Sequence, residues 1–341
     1  MKFVRIGRFV TLLALALAPV APVHAQSDGF ESAFDNAFGT EVRTPRSYAP
    51  DLNNALEARI AQLANGSEGR IGVAAVDLAT GQTISVLGDQ RFPMASTSKI
   101  AIAATYLEGV EQGRWSLTSE FPLLWAVRSR PFSTNAAPVR RGEYMTALQL
   151  IDIMITRSSN PATDALLAAV GGPAAVNDWA RRAGLRDFSL DRDIATLVRD
   201  DGEFDPASHI DVRDSASPET MVQLLAGIYQ GRWLNSASRE VIIDAMERCR
   251  TGTRRIPALM PDNVTVAHKT GSLNNTSSDI GILTGPDGRS IAVAIYVTGQ
   301  GSRLNRERRI ASIARGIYDG YQEEAARNYT SAEYRSAAAP R

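Results

Sequence analysis

The chain has 341 residues, 44% of them hydrophobic, and 37 basic side chains balance 37 acidic ones. That is enough for one large domain or two interleaved ones with a buried core, and the zero net charge gives no footing for nucleic-acid binding. Cys249 is the only cysteine, which excludes an internal disulfide.

In chain order, residues 1–25 read as a secretory signal: Lys2, Arg5 and Arg8 form a basic start, Phe9 to Ala18 an apolar run too short to span a bilayer, and Val23-His24-Ala25 a small-residue cleavage site. A periplasmic or secreted protein cut after Ala25 is expected, with no membrane span left afterwards. Residues 26–49 are polar and read as a flexible N-terminal segment. Leu52 to Leu63 has helical spacing, and Arg70–Leu78 with Thr83–Leu87 forms a hairpin through Ala79-Thr80-Gly81. Phe92-Pro93-Met94-Ala95-Ser96-Thr97-Ser98-Lys99 then runs into an apolar helical pattern that Gly109 is expected to end.

Trp115 to Tyr144 reads as irregular. A helix follows from Ala147 to Thr156, then a second opening at Asn160-Pro161, with Asn160 as its cap, and closing at Gly171-Gly172. A third covers Ala174–Ala183. Gly184 to Ser217 is a long acidic stretch without period, of the length that is usually functional or disordered. Ser217-Pro218 opens another helix, and a further one spans Ser238–Cys249. Strands are expected at Val264–Lys269, Asp279–Leu283 and Ile291–Val297, and a last helix at about Arg306–Ala325. Hairpins at both ends with helices between predict an α/β (α+β) fold: a mostly antiparallel sheet flanked by helices, with an inserted all-helical lobe. The α/β lobe takes residues 50–115 and 240–325, the helical lobe 116–239, and residues 326–341 form a loose tail.

The chemistry concentrates at three stretches. Ser96 and Lys99, three apart on one helical turn, bring a hydroxyl within reach of an amine. A serine needs a neighbouring base to act as a nucleophile, and a lysine serves if burial or a nearby cation lowers its pKa. Alone, Ser-x-x-Lys is so common that a capping serine and an exposed lysine are the better reading. The second stretch, Ser158-Ser159-Asn160, sits at a helix junction; the third, Lys269-Thr270-Gly271-Ser272, lies on a strand, where Gly271 lets a ligand approach the backbone.

In this order and spacing the three stretches resemble the serine β-lactamase and penicillin-binding protein superfamily, most closely the class A β-lactamases, from about residue 50 to 325. Asp191-Arg192 and Arg213-Asp214 look like the two ends of that family's omega loop. The resemblance implies Ser96 as the acylated nucleophile, Lys99 as its proton acceptor, and Ser158 as proton donor to the leaving nitrogen. It implies Lys269 as a source of positive potential, Asn160 as partner of the substrate side-chain amide, and the Ser96 and Ser272 N–H groups as the oxyanion hole. Thr270 and Ser272 would bind the substrate carboxylate, with Arg255 either beside them or simply solvated among Arg250 and Arg254. Arg192 and Asp214 would close the loop by an ion pair. No cofactor or metal is implied, and the partner is a β-lactam or a peptidoglycan peptide met by a monomer.

Three positions depart from the family's pattern. Ser159 stands for an aspartate and Asp164 for an asparagine. Ile194 takes the place of the glutamate that activates the deacylating water, and isoleucine cannot carry a proton. The loop is also longer than usual, and its Asp200, Asp201, Glu203 and Asp205 are either a solvated surface or a source of a substitute base, Glu203 first among them. Three readings follow: a β-lactamase-type hydrolase, slow for want of the glutamate; a D,D-peptidase or penicillin-binding enzyme working on peptidoglycan stems; or a non-catalytic binder of either ligand. A Ser-His-Asp hydrolase and a zinc site are disfavoured, because after the signal only His209 and His268 remain and His268 should face away from Lys269.

Overall fold

The structure, a computed structural model, describes residues 45–46, 54–66 and 68–337, with side chains as far as Ala326. The signal reading of residues 1–25, nearly all of the 26–49 segment and the last four residues lie outside the described part.

Helix α1 covers Ala55–Leu63 and is capped by Asn54, whose side chain accepts the Glu57 N–H. Strands β1 (Ile71–Asp77), β2 (Thr83–Val86), β8 (Thr265–Leu273), β9 (Thr276–Thr284) and β10 (Ser290–Thr298) form one antiparallel sheet in the order β2-β1-β10-β9-β8. Every residue of β10 is buried, because the sheet is covered on both faces. Ala292, Ala294 and Tyr296 face the helical side, whereas Ile291, Val293, Ile295 and Val297 pack with α1 and the last helix, α9 (Arg303–Ala337). Two-sided burial explains why β10 reads as a continuous apolar run rather than an alternation. The β8–β9–β10 strands are longer than the apolar runs that announce them, since Thr276, Ser277 and Ser278 are buried polar members of the ladder.

Between the two parts of the sheet lie α2 (Lys99–Glu111), α3 (Ala147–Thr156), α4 (Asn160–Val170), α5 (Pro173–Arg182), α6 (Ile194–Arg199), α7 (Pro218–Tyr229) and α8 (Ser236–Glu247). This region is mainly helical but not purely so. Trp115–Tyr144, expected to be irregular, contains an antiparallel pair, β4 (Glu120–Ala126) and β5 (Val139–Thr146). Most of that pair is half-buried or exposed, so it carries little of the alternation that would announce strands. Short strands β3 (Phe92–Pro93), β6 (Phe188–Ser189) and β7 (Ser215–Ala216) pair on one another, with β7 in the middle.

Other boundaries move for local reasons. Gly109 does not end α2, which runs on to Glu111; a Cβ there would lie 2.1 Å from the Trp115 ring, so the glycine makes room for an indole. The cap of α4 is Ser159, whose hydroxyl accepts the Ala162 N–H, and not Asn160, whose side chain is engaged elsewhere. Helix α9 continues to Ala337, past the point where the sequence suggested a loose tail. No described helix is long and apolar enough to cross a membrane.

Candidate active site

Ser96 lies on a 3₁₀ turn, Ala95–Ser98, that leads directly into α2. The residue before it, Ala95, is held at φ +48°, a left-handed conformation that costs a non-glycine residue energy and is retained only where packing imposes it. The packing is β8. A Cβ on Gly271 would lie 2.7 Å from the Met94 carbonyl oxygen and 3.1 Å from the Ala95 Cβ. Gly271 is therefore required by the chain's own approach to the Ser96 turn, a nearer cause than the ligand approach its sequence context suggested. Thr97 locks the turn by donating to the Met94 carbonyl at 2.7 Å and pairing with the Tyr296 hydroxyl at 2.9 Å.

Lys99 is wholly buried at the start of α2. Its ammonium donates to the Ser158 carbonyl at 2.8 Å, the Ser158 hydroxyl at 3.1 Å and Asn160 Oδ1 at 2.8 Å. Lys269, equally buried, donates to the same Ser158 hydroxyl at 3.0 Å and to the Thr270 carbonyl at 2.8 Å. The Ser158 oxygen thus sits between two lysines, and Ser158 is itself at φ +57° in the tight junction from α3 to α4. The three motifs converge, although the three bonds of Lys99 go to Ser158 and Asn160 rather than to Ser96. Burial, and then the neighbouring Lys269 charge, hold the Lys99 pKa well below the ordinary lysine value. Burial lowers Lys269 to about 8. Two cations in one dry site disfavour each other, which is how a lysine becomes available as a base.

The Thr270 hydroxyl pairs with that of Thr251 at 2.6 Å. His268 turns away from Lys269, as strand alternation demands, and its Nδ1 meets both carboxylate oxygens of Asp279 at 2.9 and 3.0 Å. Burial works against its charge, but Asp279 raises the imidazole to about 10, so it is a fixed cation behind the strand. Arg255 is no solvated arginine: it is 1% exposed and donates to the carbonyls of Gly271 and Ser278 at 2.8 and 2.7 Å and to the Ser272 hydroxyl at 2.6 Å. Glu307 completes its surroundings at 3.4 Å.

The loop from Asp191 to Asp214 is closed by the expected ion pair, Arg192 to Asp214 at 2.6 Å, and Asp214 also accepts the Asp191 and Arg192 N–H groups. Within it, Ile194 opens α6 and is 2% exposed. Asp164, on α4, accepts the N–H groups of Ile194 and Ala195 at 2.7 and 3.0 Å. Two donors facing one side chain suit a carboxylate, with two acceptors, better than an amide. Burial raises Asp164 to about 6 against the pull of those bonds. The acids of the longer loop are all occupied. Glu203 pairs with Arg213 at 2.6 Å, and Asp200 with Arg199 at 2.7 Å. Asp201 accepts the Asn274 N–H, and Asp205 the Asn275 side-chain amide. Glu203 lines a cavity with Phe204, His209 and Asp211, whose walls include none of Ser96, Lys99 and Ser158.

Sequence reasoning did not assign Thr251 or the Asp279–His268 pair to the site. For Thr251 no signal existed; Asp279 announced itself as a lone acid in an apolar strand, and Asp164 as one in an apolar helix.

Residues 55–321 match the β-lactamase enzyme family. The chain belongs to that family. It is 30% identical over 274 residues to β-lactamase CTX-M-8 of Citrobacter amalonaticus, covering 79% of this chain and 90% of that protein. It is 27% identical over 276 residues to the extended-spectrum β-lactamase PER-1 of Pseudomonas aeruginosa, covering 77% and 86%. Among solved structures, an ancestral class A β-lactamase of Gram-negative bacteria superposes with a TM-score of 0.67 at 34% identity, over 78% of this chain and 99% of that one. A β-lactamase from Chitinophaga pinensis gives 0.69 at 26% identity, over 79% and 100%. This β-lactamase-family chain is a serine hydrolase of β-lactamase type, close to class A, and its antiparallel sheet flanked by helices is the class A fold.

Proposed function

We propose that the protein is an exported monomeric β-lactam hydrolase that is acylated readily at Ser96 and released slowly. Export rests on the basic start, apolar run and small-residue site of residues 1–25. The Ser96 hydroxyl attacks the lactam carbonyl while Lys99, with its depressed pKa, accepts the proton. The developing oxyanion meets the N–H groups of Ser96 and Ser272. Ser158, bonded to both lysines, hands a proton to the ring nitrogen as the C–N bond breaks, and Lys99 replenishes it. Asn160 holds the acyl amide. Thr270, Ser272 and Lys269 hold the substrate carboxylate, with Arg255 acting on it through the Ser272 hydroxyl.

The observation that carries the reading is the Ser158 hydroxyl shared between Lys99 and Lys269, set against a buried isoleucine at the head of the loop. The first equips acylation; the second leaves the deacylating water without a base, and Glu203 is engaged by Arg213. Losing a positioned base costs about 10²–10⁴ in rate, or roughly 3–5.5 kcal/mol. The test is intact-mass measurement within seconds of mixing with a penicillin and with a chromogenic cephalosporin. A stable adduct on Ser96 with a slow steady rate is expected. Rapid turnover with no adduct, undiminished in Glu203→Gln, Asp200→Asn, Asp201→Asn and Asp205→Asn, would overturn it. The buried Ile194 also fits a D,D-peptidase, whose reading would be favoured by release of D-alanine from a stem peptide.

A further inference from the structure

A line of hydrogen bonds runs from Thr270 into a titratable cluster outside the reacting groups. His268 and Thr270, two apart on β8, share a face of that strand. Asp279 stands opposite Thr270 on β9 and meets the His268 Nδ1 with both carboxylate oxygens. The same imidazole hydrogen-bonds the thiol of Cys249, in the turn that follows α8. The Cys249 Sγ lies 3.4 Å from the Thr251 hydroxyl, and that hydroxyl lies 2.6 Å from the Thr270 hydroxyl. Gly252, at φ +69°, permits so close an approach, since a Cβ there would lie 2.3 Å from the Thr270 methyl carbon. Besides His268 and Asp279, the Lys269 charge from β8 is felt at the thiol; on its own side Arg248 is taken by Asp152 of α3. Helix α3 also turns the Ile155 carbonyl toward the Sγ, at 3.9 Å. Burial pushes the Cys249 thiol up, but the His268 hydrogen bond and charge outweigh it and bring the thiol down to about 7. Both protonation states are therefore populated near neutral pH.

We infer that Cys249 is a positioning residue: it sets the direction of the Thr251–Thr270 hydrogen bond, and through it whether Thr270 can donate to the substrate carboxylate. The inference rests on the reading above, in which Thr270 holds that carboxylate. A thiol has one hydrogen to donate and a thiolate has none. While Cys249 is protonated, it donates to the Thr251 oxygen, and Thr251 donates to the Thr270 oxygen. The Thr270 O–H is then left for the carboxylate. When Cys249 loses its proton to solvent, the sulfur accepts the Thr251 O–H, and the Thr251 oxygen accepts the Thr270 O–H. Thr270 then turns only lone pairs toward an anion. Affinity for an anionic substrate is thus present below the thiol pKa and fades as pH rises through it.

The test reads the half-saturating concentration for acylation, apart from the limiting rate, by intact mass in the parent, Cys249→Ser and Thr251→Val. A penicillin and its methyl ester are the substrates. From about pH 6 to about pH 8 the half-saturating concentration of the penicillin should rise about tenfold in the parent, as the fraction carrying the thiol falls. Lys269, at about 8, adds about twofold over that range. Cys249→Ser keeps a protonated donor, and Thr251→Val breaks the relay while the thiol still ionises. In both, only the Lys269 share, about twofold, should remain. The methyl ester offers Thr270 no anion and should stay within about twofold in the parent. A full rise in Thr251→Val would make the thiolate charge itself the cause and overturn the relay. A full rise in Cys249→Ser, a flat parent, or an equal rise with the ester would overturn it too. Absence of any Ser96 adduct in the parent overturns the β-lactam reading, and the inference with it.

Discussion

The turn-and-strand wall around Ser96 and the loop from Asp191 to Asp214 are built from similar materials, buried charge and backbone hydrogen bonds, to opposite ends. In the wall, two lysines with depressed pKa values point at one serine hydroxyl, so charge is placed where a proton can move. In the loop, nearly every acid is matched to an arginine or to a backbone N–H, and the residue at its head is an isoleucine. The same carboxylate chemistry that could have served as a base is spent on holding shape. On the proposed mechanism, acylation draws on the first region and deacylation on the second, so the contrast predicts that the two steps can be lost separately.

The largest effect should come from the wall. Ser96→Ala is expected to abolish covalent labelling by a penicillin, followed by intact mass; labelling at the parent rate would move the nucleophile elsewhere and collapse the comparison. Lys99→Ala should slow acylation by about 10²–10⁴, the share of a general base, measured by the rise of the adduct, with the lifetime of whatever adduct forms little changed.

The loop side is sharpened by adding what it lacks. Ile194→Glu introduces a carboxylate beside the Asp164 that already holds the Ile194 N–H and is raised to about 6, so like charges would blunt the gain. Ile194→Glu with Asp164→Asn should therefore shorten the acyl-enzyme lifetime by about tenfold or more, a fraction of what a positioned base contributes, while the single variant does less. Equal lifetimes in parent and both variants would show that the missing glutamate is not what limits release.

The smallest effect is a pH limb. Lys269 is protonated below its depressed pKa of about 8 and neutral above it, so positive potential at Ser158 is present below that pH and fades as pH rises through it. Acylation by an anionic β-lactam should fall over that range by about tenfold per unit at most, and Lys269→Arg, which keeps its charge, should move the limb to higher pH. A flat profile in the parent would detach Lys269 from substrate attraction.

Much of this protein is legible in its sequence because the signals are local. Cap-then-proline at Ser217-Pro218 and the apolar runs of β1 and β10 announce themselves within a few residues. So do Ser96, Lys99, Ser158 and Lys269, because each motif fixes its residues on one turn or one strand. The resemblance also put Ile194 where the family's glutamate stands. Only the tertiary structure decided what depends on partners far along the chain. It placed the Ser158 hydroxyl between lysines 59 and 111 residues away. It buried Arg255 under β8, where composition left it indistinguishable from the exposed Arg254. And it showed Asp201 accepting a backbone N–H 73 residues distant, a contact that the acidic run by itself does not announce. A charge's role follows from its desolvation and its nearest donor, and neither is set until the fold brings distant segments together.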